Sequence, residues 1–235
     1  MIVTLDGPAG AGKSTAAREL ASRLGFMFLD TGAMYRAVAL AALRAGLSWD
    51  DTDGIAALAR RITIELPGDK VFLDGEDVTA EIRTSEITAV TKYAAANQEV
   101  RNHLVHLQRL LAGDQNVVTD GRDQGTIVFP HAECKIFLTA SPEERARRRQ
   151  LDLQARGENT PFDEVLRQQN ERDLGDTSRE VGPMAAAEDS VEIYTDGLNA
   201  EQVVDKLEEL VRKRAKDHEH HVVGPEPLVE GGHQL

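Results

Sequence analysis

The sequence predicts an α/β fold: a five-stranded parallel sheet with helices on both faces, interrupted by a small antiparallel lobe. Three observations carry that expectation. The chain opens strand, helix, strand, helix, the order that parallel strands joined by crossover helices require. A glycine-rich turn joins the first strand to the first helix. Residues 62–78 then change to short alternating runs separated by tight turns, a pattern foreign to a parallel sheet.

Residues 2–5 are a short apolar run and read as a buried strand. Lys13–Leu24 reads as a helix, with Ala16, Ala17, Leu20 and Leu24 spaced by turns and Gly25 as its stop. Residues 26–29 form the second strand, and residues 34–44 a helix ending at Gly46. Ile62, Ile64 and Leu66 alternate with polar residues, Pro67-Gly68-Asp69 turns the chain, Val71 and Leu73 alternate again, and Asp74-Gly75 turns it back before Val78. This antiparallel meander predicts an inserted lobe over residues 62–95. Val100, Leu104, Leu107 and Leu111 make a helical stripe closed by Gly113, and residues 117–119 and 136–138 are the third and fourth strands. Ser141-Pro142-Glu143-Glu144 is a capping box with proline at the first helical position, starting a helix that runs to Gly157. Thr160-Pro161 begins another, carrying Val165 and Leu166. Residues 191–194 are the fifth strand, and Asn199 caps a last helix bearing Val203, Leu207, Leu210 and Val211. From Lys216 the chain is charged and aperiodic, so residues 216–235 are expected to be disordered.

A chain of 235 residues builds one sizeable core with small appended lobes. With 41% hydrophobic and only 4% aromatic residues, that core is aliphatic. A net charge of −13 argues against non-specific binding to nucleic acid or an anionic membrane. A single cysteine, Cys134, rules out an internal disulfide and is expected to serve as a small apolar side chain; it fits a reducing cytoplasm. The N-terminus lacks the basic and apolar regions of a secretory leader, and the longest apolar run is too short to span a bilayer.

Gly7-Pro8-Ala9-Gly10-Ala11-Gly12-Lys13-Ser14, with Thr15 next, satisfies every fixed position of the phosphate-loop pattern, and does so between a strand and a helix. The glycines let backbone N–H groups turn inward, the helix N-terminus adds positive potential, Lys13 reaches the β- and γ-phosphates, and the Ser14 hydroxyl holds Mg²⁺. This predicts ATP or GTP binding and leaves the acceptor open. No N-K-x-D guanine motif is present, which argues against a G-protein switch.

Further along, Asp30-Thr31-Gly32-Ala33-Met34-Tyr35-Arg36 follows the second strand, and Gly75-Glu76-Asp77-Val78-Thr79-Ala80-Glu81-Ile82-Arg83-Thr84 lies in the inserted lobe. Asp120-Gly121-Arg122-Asp123-Gln124-Gly125-Thr126 follows the third strand. The run from Lys135 to Ala146 spans the fourth strand and the capping box, and Glu171-Arg172-Asp173 precedes Asp176 and Arg179. In this order the segments resemble bacterial cytidylate kinases, a family of P-loop nucleoside monophosphate kinases, over residues 1–212.

That resemblance implies the P-loop NTPase sheet order 2-3-1-4-5 and transfer of the ATP γ-phosphoryl group to CMP or dCMP, with Mg²⁺, by a monomer. It implies a core of residues 1–30, 113–156 and 184–215, a monophosphate-binding lobe over 31–112, and a mobile lid with its following segment over 157–183. Thr31, Tyr35 and Arg36 would wall the acceptor site, Arg101 and Asp123 would read the cytosine edge, Arg172 and Asp176 would hold ribose and phosphate, and Arg179 would reach phosphate as the lid closes. Where the family carries a serine ahead of Arg101, this sequence has Lys92 with Thr91 beside it. Lys13, Arg122, Arg145, Arg149 and Arg172 are the candidates for stabilising charge in the transition state, and Asp120 for positioning Mg²⁺ through water. Physics supports the pattern: such a transfer gathers several negative charges in one cleft, and an acidic protein must concentrate arginines there.

Read without the resemblance, several residues keep plainer roles. Arg145, Arg147, Arg148 and Arg149 make a solvated helix face, Arg101 a surface arginine, Asp120 and Asp123 turn formers, and Tyr35 a core residue. Two other activities also stay open on the residues alone: a kinase for another small acceptor such as UMP or shikimate, and a nucleotide-dependent regulator. His218, Glu219, His220 and His221 are more simply solvated than metal-binding.

Overall fold

A computed structural model describes residues 1–155 and 157–222. Five strands, β1 (Ile2–Asp6), β2 (Met27–Asp30), β6 (Val117–Asp120), β7 (Cys134–Thr139) and β8 (Val191–Tyr194), form one sheet in the order β2-β6-β1-β7-β8. Every pairing is parallel, so the expected order 2-3-1-4-5 is found. The register sets Asp120 beside Leu5 on one neighbour and beside Asp30 on the other. The strands therefore deliver their carboxylates to one edge of the sheet, at the C-terminal ends where open α/β sheets bind ligands.

Helices α1 (Lys13–Leu24) and α8 (Ala200–Val222) cover one face, packing Ala17, Leu20, Val203 and Leu207 on Val3, Leu5, Ile136 and Leu138. Leu5, Leu20, Leu138 and Leu207 are each 0% exposed, and burying such a side chain stabilises the fold by roughly 2 kcal/mol. The sheet's other side buries Leu29 and Val117 against Ala112, Val128 and Phe129. Cys134 is buried within β7, and burial pushes its thiol up to about 12.

Helix α8 continues past Lys216 to Val222, so the chain there is helical and not disordered. Arg212, Lys213, Arg214, Ala215 and Lys216 are good helix formers that propagate the helix beyond its apolar stripe. Residues 223–235, and the side chains of His218 to His221, lie outside the described residues.

The insertion is less of a meander than the sequence predicts. It follows α2 (Thr31–Arg44) and α3 (Thr52–Ala59), and comprises three two-residue strands β3 (Ile64–Glu65), β4 (Phe72–Leu73) and β5 (Glu76–Asp77), a 3-10 turn at Glu81–Arg83, and α4 (Ser85–Ala96). The strands pair antiparallel, and Asp74 (φ 50°) and Gly75 (φ 83°) make the left-handed turn that an Asp-Gly hairpin prefers. Beyond Asp77 the lobe is helical, because Thr84 caps α4 by accepting the Ile87 N–H. Likewise Asp51 caps α3 and Asp30 starts α2 three residues early by accepting the Ala33 N–H at 2.8 Å. Val71, Leu73, Val78, Ile82 and Ile87 share one core with Ala33 and Leu40 of α2. The insertion thus braces the helix that carries Tyr35 and Arg36.

Helix α5 (Gln98–Ala112) returns the chain to the sheet, and β6 leads into a π-helical turn, Gln124–Val128. Helices α6 (Pro142–Ala155) and α7 (Phe162–Ser178) then stack on each other through Ala146, Leu153 and Val165. Half of the expected capping box forms: the Ser141 hydroxyl accepts the Glu144 N–H at 3.4 Å. The other half does not, because the Ser141 N–H donates to Asp196 while Glu144 pairs with Arg147 and Arg148.

Candidate active site

The phosphate loop leaves β1 at Gly7 and enters α1 at Lys13, with Gly7, Gly10 and Gly12 at φ 138°, 76° and 87°. A side chain at Gly7 would stand 2.1 Å from the Leu138 carbonyl oxygen, so the loop is pressed onto the end of β7. Lys13 is buried, and its Nζ donates to the Pro8 carbonyl at 2.7 Å. Burial, with Arg122 nearby, holds its ammonium well below the ordinary lysine range. The Ser14 hydroxyl donates to Asp120 Oδ2 at 2.5 Å, while Asp120 Oδ1 is buried without a hydrogen-bond partner. Burial and the neighbouring Asp30 raise Asp120. A hydroxyl beside an unpartnered carboxylate oxygen is the all-oxygen donor set that Mg²⁺ takes, directly or through water.

Thr31, Tyr35 and Arg36 all lie on α2. The Thr31 hydroxyl donates to the Asp120 backbone oxygen at 2.6 Å, tying α2 to β6. Arg36 donates to Asp30 at 3.2 Å and keeps a buried, unpartnered Nε. Tyr35 is pushed up to about 12 by burial, and the Arg101 guanidinium lies over its ring, 5.6 Å from the centroid. Arg101 is no surface residue: it is 3% exposed and ion-paired with the equally buried Asp123. Backbone at Gly182 passes directly over that pair. Of the two residues in place of the family's serine, Thr91 is half-buried, one turn before Ala95, whose carbonyl accepts from Arg101 at 3.4 Å. Lys92 is exposed and lies over Tyr93, which stacks on Trp49. Thr91 rather than Lys92 therefore shares the face of α4 that meets Arg101.

Between these two walls the arginines converge. Arg122 Nε donates to Asp176 Oδ2 at 2.8 Å, and Arg179 donates to the Gly182 carbonyl at 3.0 Å with its Nε unpartnered. Water reaches Arg172, yet protein surrounds it on its other sides, as in a cleft; that burial, followed by Arg122, lowers its guanidinium to about 10. Arg36 and Arg149 act on it in the same direction, and Asp176 opposes them. Arg149 has no carboxylate partner among the described residues. Lys13, Arg36, Arg122, Arg149, Arg172 and Arg179 thus concentrate positive potential in a protein of net charge −13.

Arg145 stands apart from that cluster. It is 5% exposed, pairs with Asp173, and donates to the Ala9 and Ala140 carbonyls at 2.9 and 3.0 Å, so it buttresses the outside of the loop. One turn on, Arg148 reaches Glu144 and Thr195, and Arg147 is a solvated partner of Glu144. The spacing that aligns Arg145 and Arg149 on a helix does not bring them to one target, because α7 interposes Asp173.

Three contributors were given no role from the sequence: Asp6 and Gln169 lie outside every motif, and Asp173 lies within Glu171-Arg172-Asp173. Asp6 accepts the N–H groups of Gln124 and Gly125 at 2.8 and 2.7 Å, fixing the turn beyond Arg122 and Asp123. Gln169 and Asp173 lie on the inward face of α7. Their signal is a polar row at Gln169, Arg172, Asp173 and Asp176, spaced three and four apart beyond the apolar Val165, where an amphipathic helix would continue apolar.

A family model described as cytidylate kinase matches residues 3–213. The chain belongs to the cytidylate kinase family. A cytidylate kinase of Rhodopirellula baltica is 48% identical over 213 residues, covering 91% of this chain and 93% of its own. One from Carboxydothermus hydrogenoformans is 49% identical over 218 residues, covering 91% and 98%. Among solved structures, an uncharacterised protein from Eubacterium ventriosum has a TM-score of 0.50 at 10% identity, covering 91% of this chain and 98% of that one, a likeness of fold alone.

Proposed function

We propose that the protein transfers the γ-phosphoryl group of ATP to CMP or dCMP, yielding ADP and CDP or dCDP. The observation that carries this reading is the cluster of Arg36, Arg122, Arg149, Arg172 and Arg179 between the phosphate loop and the Arg101–Asp123 pair. In the proposed arrangement ATP lies with its phosphates against the loop of residues 7–15, on the backbone N–H groups of Gly10 to Thr15. Lys13 and Ser14 meet its β- and γ-phosphates, and Ser14 and Asp120 hold Mg²⁺, which neutralises phosphate charge when bound. The cytosine edge offers an acceptor and an amino donor, matching Arg101 and Asp123, with Thr91 beside them. Thr31, Tyr35 and Arg36 wall the acceptor, and Asp176 and Arg179 grip its ribose and phosphate.

The attacking phosphate oxygen is already ionised, so no general base is needed. Arg122, Arg149 and Arg172 stabilise the charge on the phosphoryl group in transit. Arg172 is suited to this: crowded by like charges, it gains more from an arriving anion than an isolated arginine does. Residues 157–183 act as the lid, excluding water that would otherwise hydrolyse ATP. No helix among the described residues is long and apolar enough to cross a membrane; a cytoplasmic monomer completes the reading.

A coupled ADP-release assay across CMP, dCMP, UMP, AMP and shikimate tests it. The reading expects strong stimulation by CMP and dCMP. ATP consumption that no pyrimidine monophosphate stimulates would refute it.

A further inference from the structure

The phosphate loop is touched from outside by a carboxylate. Asp173 Oδ1 accepts the Ala9 N–H at 3.2 Å, and its other oxygen pairs with Arg145, which in turn donates to the Ala9 carbonyl at 2.9 Å. Both backbone polar groups of Ala9 are therefore committed to side chains of α6 and α7. One turn earlier on α7, Gln169 donates to the Pro142 carbonyl at 3.0 Å and is 6% exposed. Its Oε1 has no partner and lies 3.1 Å from where a Cβ on Gly10 would be. An acceptor at a site built to attract phosphate is of the wrong sign for ligand binding. Paired with a buried arginine, it fits a fastening instead.

We propose that Asp173, seconded by Gln169, is a positioning residue that fastens α7 to the phosphate loop and so holds Arg172 over the phosphoryl group in transit. This deepens the phosphotransferase reading and rests on it. Arg172 is the preceding residue and has Arg122, Arg36 and Arg149 as like-charged neighbours. The tie at Asp173 fixes the backbone of α7 next to it. The pair Asp176–Arg122 a turn further on is the other restraint, but it joins α7 to the cluster itself and not to the loop.

The test uses the full chain with Asp173→Leu, Asp173→Asn, Arg172→Ala and the double variant Arg172→Ala/Asp173→Leu. Asp173→Leu is expected to lower kcat about 30-fold while KM for ATP and CMP moves less than about threefold, since a misplaced Arg172 weakens the transition state more than the ground state. In the Arg172→Ala background the same substitution is expected to change kcat less than about twofold, the coupling expected of residues that act as one unit. Hydrogen exchange of residues 162–178 is expected to quicken in Asp173→Leu, a readout independent of turnover. Asp173→Asn keeps an acceptor for Ala9 but not the charge pair, so it should fall between wild type and leucine, and it serves if Asp173→Leu does not fold. An unchanged kcat, an equal loss in both backgrounds, or unaltered exchange in α7 each overturns the inference. Wild-type turnover with CMP in the same assay separately decides the underlying reading.

Discussion

The Ser14 hydroxyl and Asp120 Oδ2 meet at 2.5 Å across 106 residues of sequence, joining the first helical turn of α1 to the end of β6. The carboxylate's other oxygen has no partner. Asp120→Asn should therefore raise the Mg²⁺ concentration for half-maximal turnover about tenfold or more. Because burial and Asp30 already strain the ionised form, the melting temperature should not fall. A Mg²⁺ titration and a thermal melt check both halves; an unchanged titration removes Asp120 from the metal's surroundings.

Lys13 and Arg36 sit on opposite walls and should fail differently. Lys13→Ala is expected to cost about a hundredfold or more in kcat with the fold intact. Arg36→Ala removes a charged hydrogen-bonding group from the acceptor side, so KM for CMP should rise about 10- to 100-fold with KM for ATP little changed. Initial rates with each substrate varied separate the two, and a selective ATP defect in Arg36→Ala would place that residue wrongly.

Arg101 and Asp123 bury opposite charges against each other. Arg101→Met leaves a buried carboxylate without its nearest partner and should destabilise the fold by about 3 kcal/mol. Adding Asp123→Asn removes that charge and should restore part of the loss. Denaturant unfolding of the single and double variants measures it; equal stabilities would mean Arg179 alone suffices for Asp123.

Arg145 and Arg149, one turn apart, are expected to divide between stability and catalysis. Arg145→Ala breaks the pair with Asp173 and should lower the melting temperature by several degrees, reflecting about 2 kcal/mol. Arg149→Ala should leave the melt unchanged and lower kcat by about tenfold or more. The reverse division would return Arg145 to the reacting centre.

Asp6 supplies a pH signature. Burial raises its carboxyl from 3.8 to about 6, and the two N–H bonds from Gly125 and Gln124 do not offset that. Nearby Asp123 raises it further and Lys13 lowers it. The stability contributed by the protonated form is complete below pH 3.8 and is lost as pH rises through about 6. Relative to Asp6→Asn, wild type should thus lose up to about 3 kcal/mol between those limits and nothing further above them. Unfolding curves across this range test the sign; a flat difference rejects it.

The parallel strands and the loop from Gly7 to Ser14 were legible because buried strands and glycine-rich turns obey local rules, while the sheet order came from the family resemblance alone. The lobe beyond Asp77 was not: α4 depends on a threonine cap and on packing against α2, and a few alternating residues masked both. Helix α3 hid behind its cap Asp51, and α8 outran its apolar stripe. At the site, Arg101, Arg122 and Arg172 were singled out through motif resemblance. The contacts of Arg145 with Asp173 and Ala9 were not legible, because helical spacing says which residues share a face and nothing about what stands opposite. Asp6, Gln169 and Asp173 act through backbone groups of distant segments, and no sequence spacing encodes such partners.

The alignment of Asp30, Asp120 and Leu5 across three parallel strands makes the sheet a gauge between donor and acceptor. A slip of one residue in β6 would swing Asp120 to the opposite face and carry away the anchor of Thr31 along with the companion of Ser14. Both halves of the reaction would be lost by that one displacement, so β6 tolerates no insertion or deletion, whereas the turns at Gly68 and Gly75, where a side chain would meet nothing, are free to lengthen.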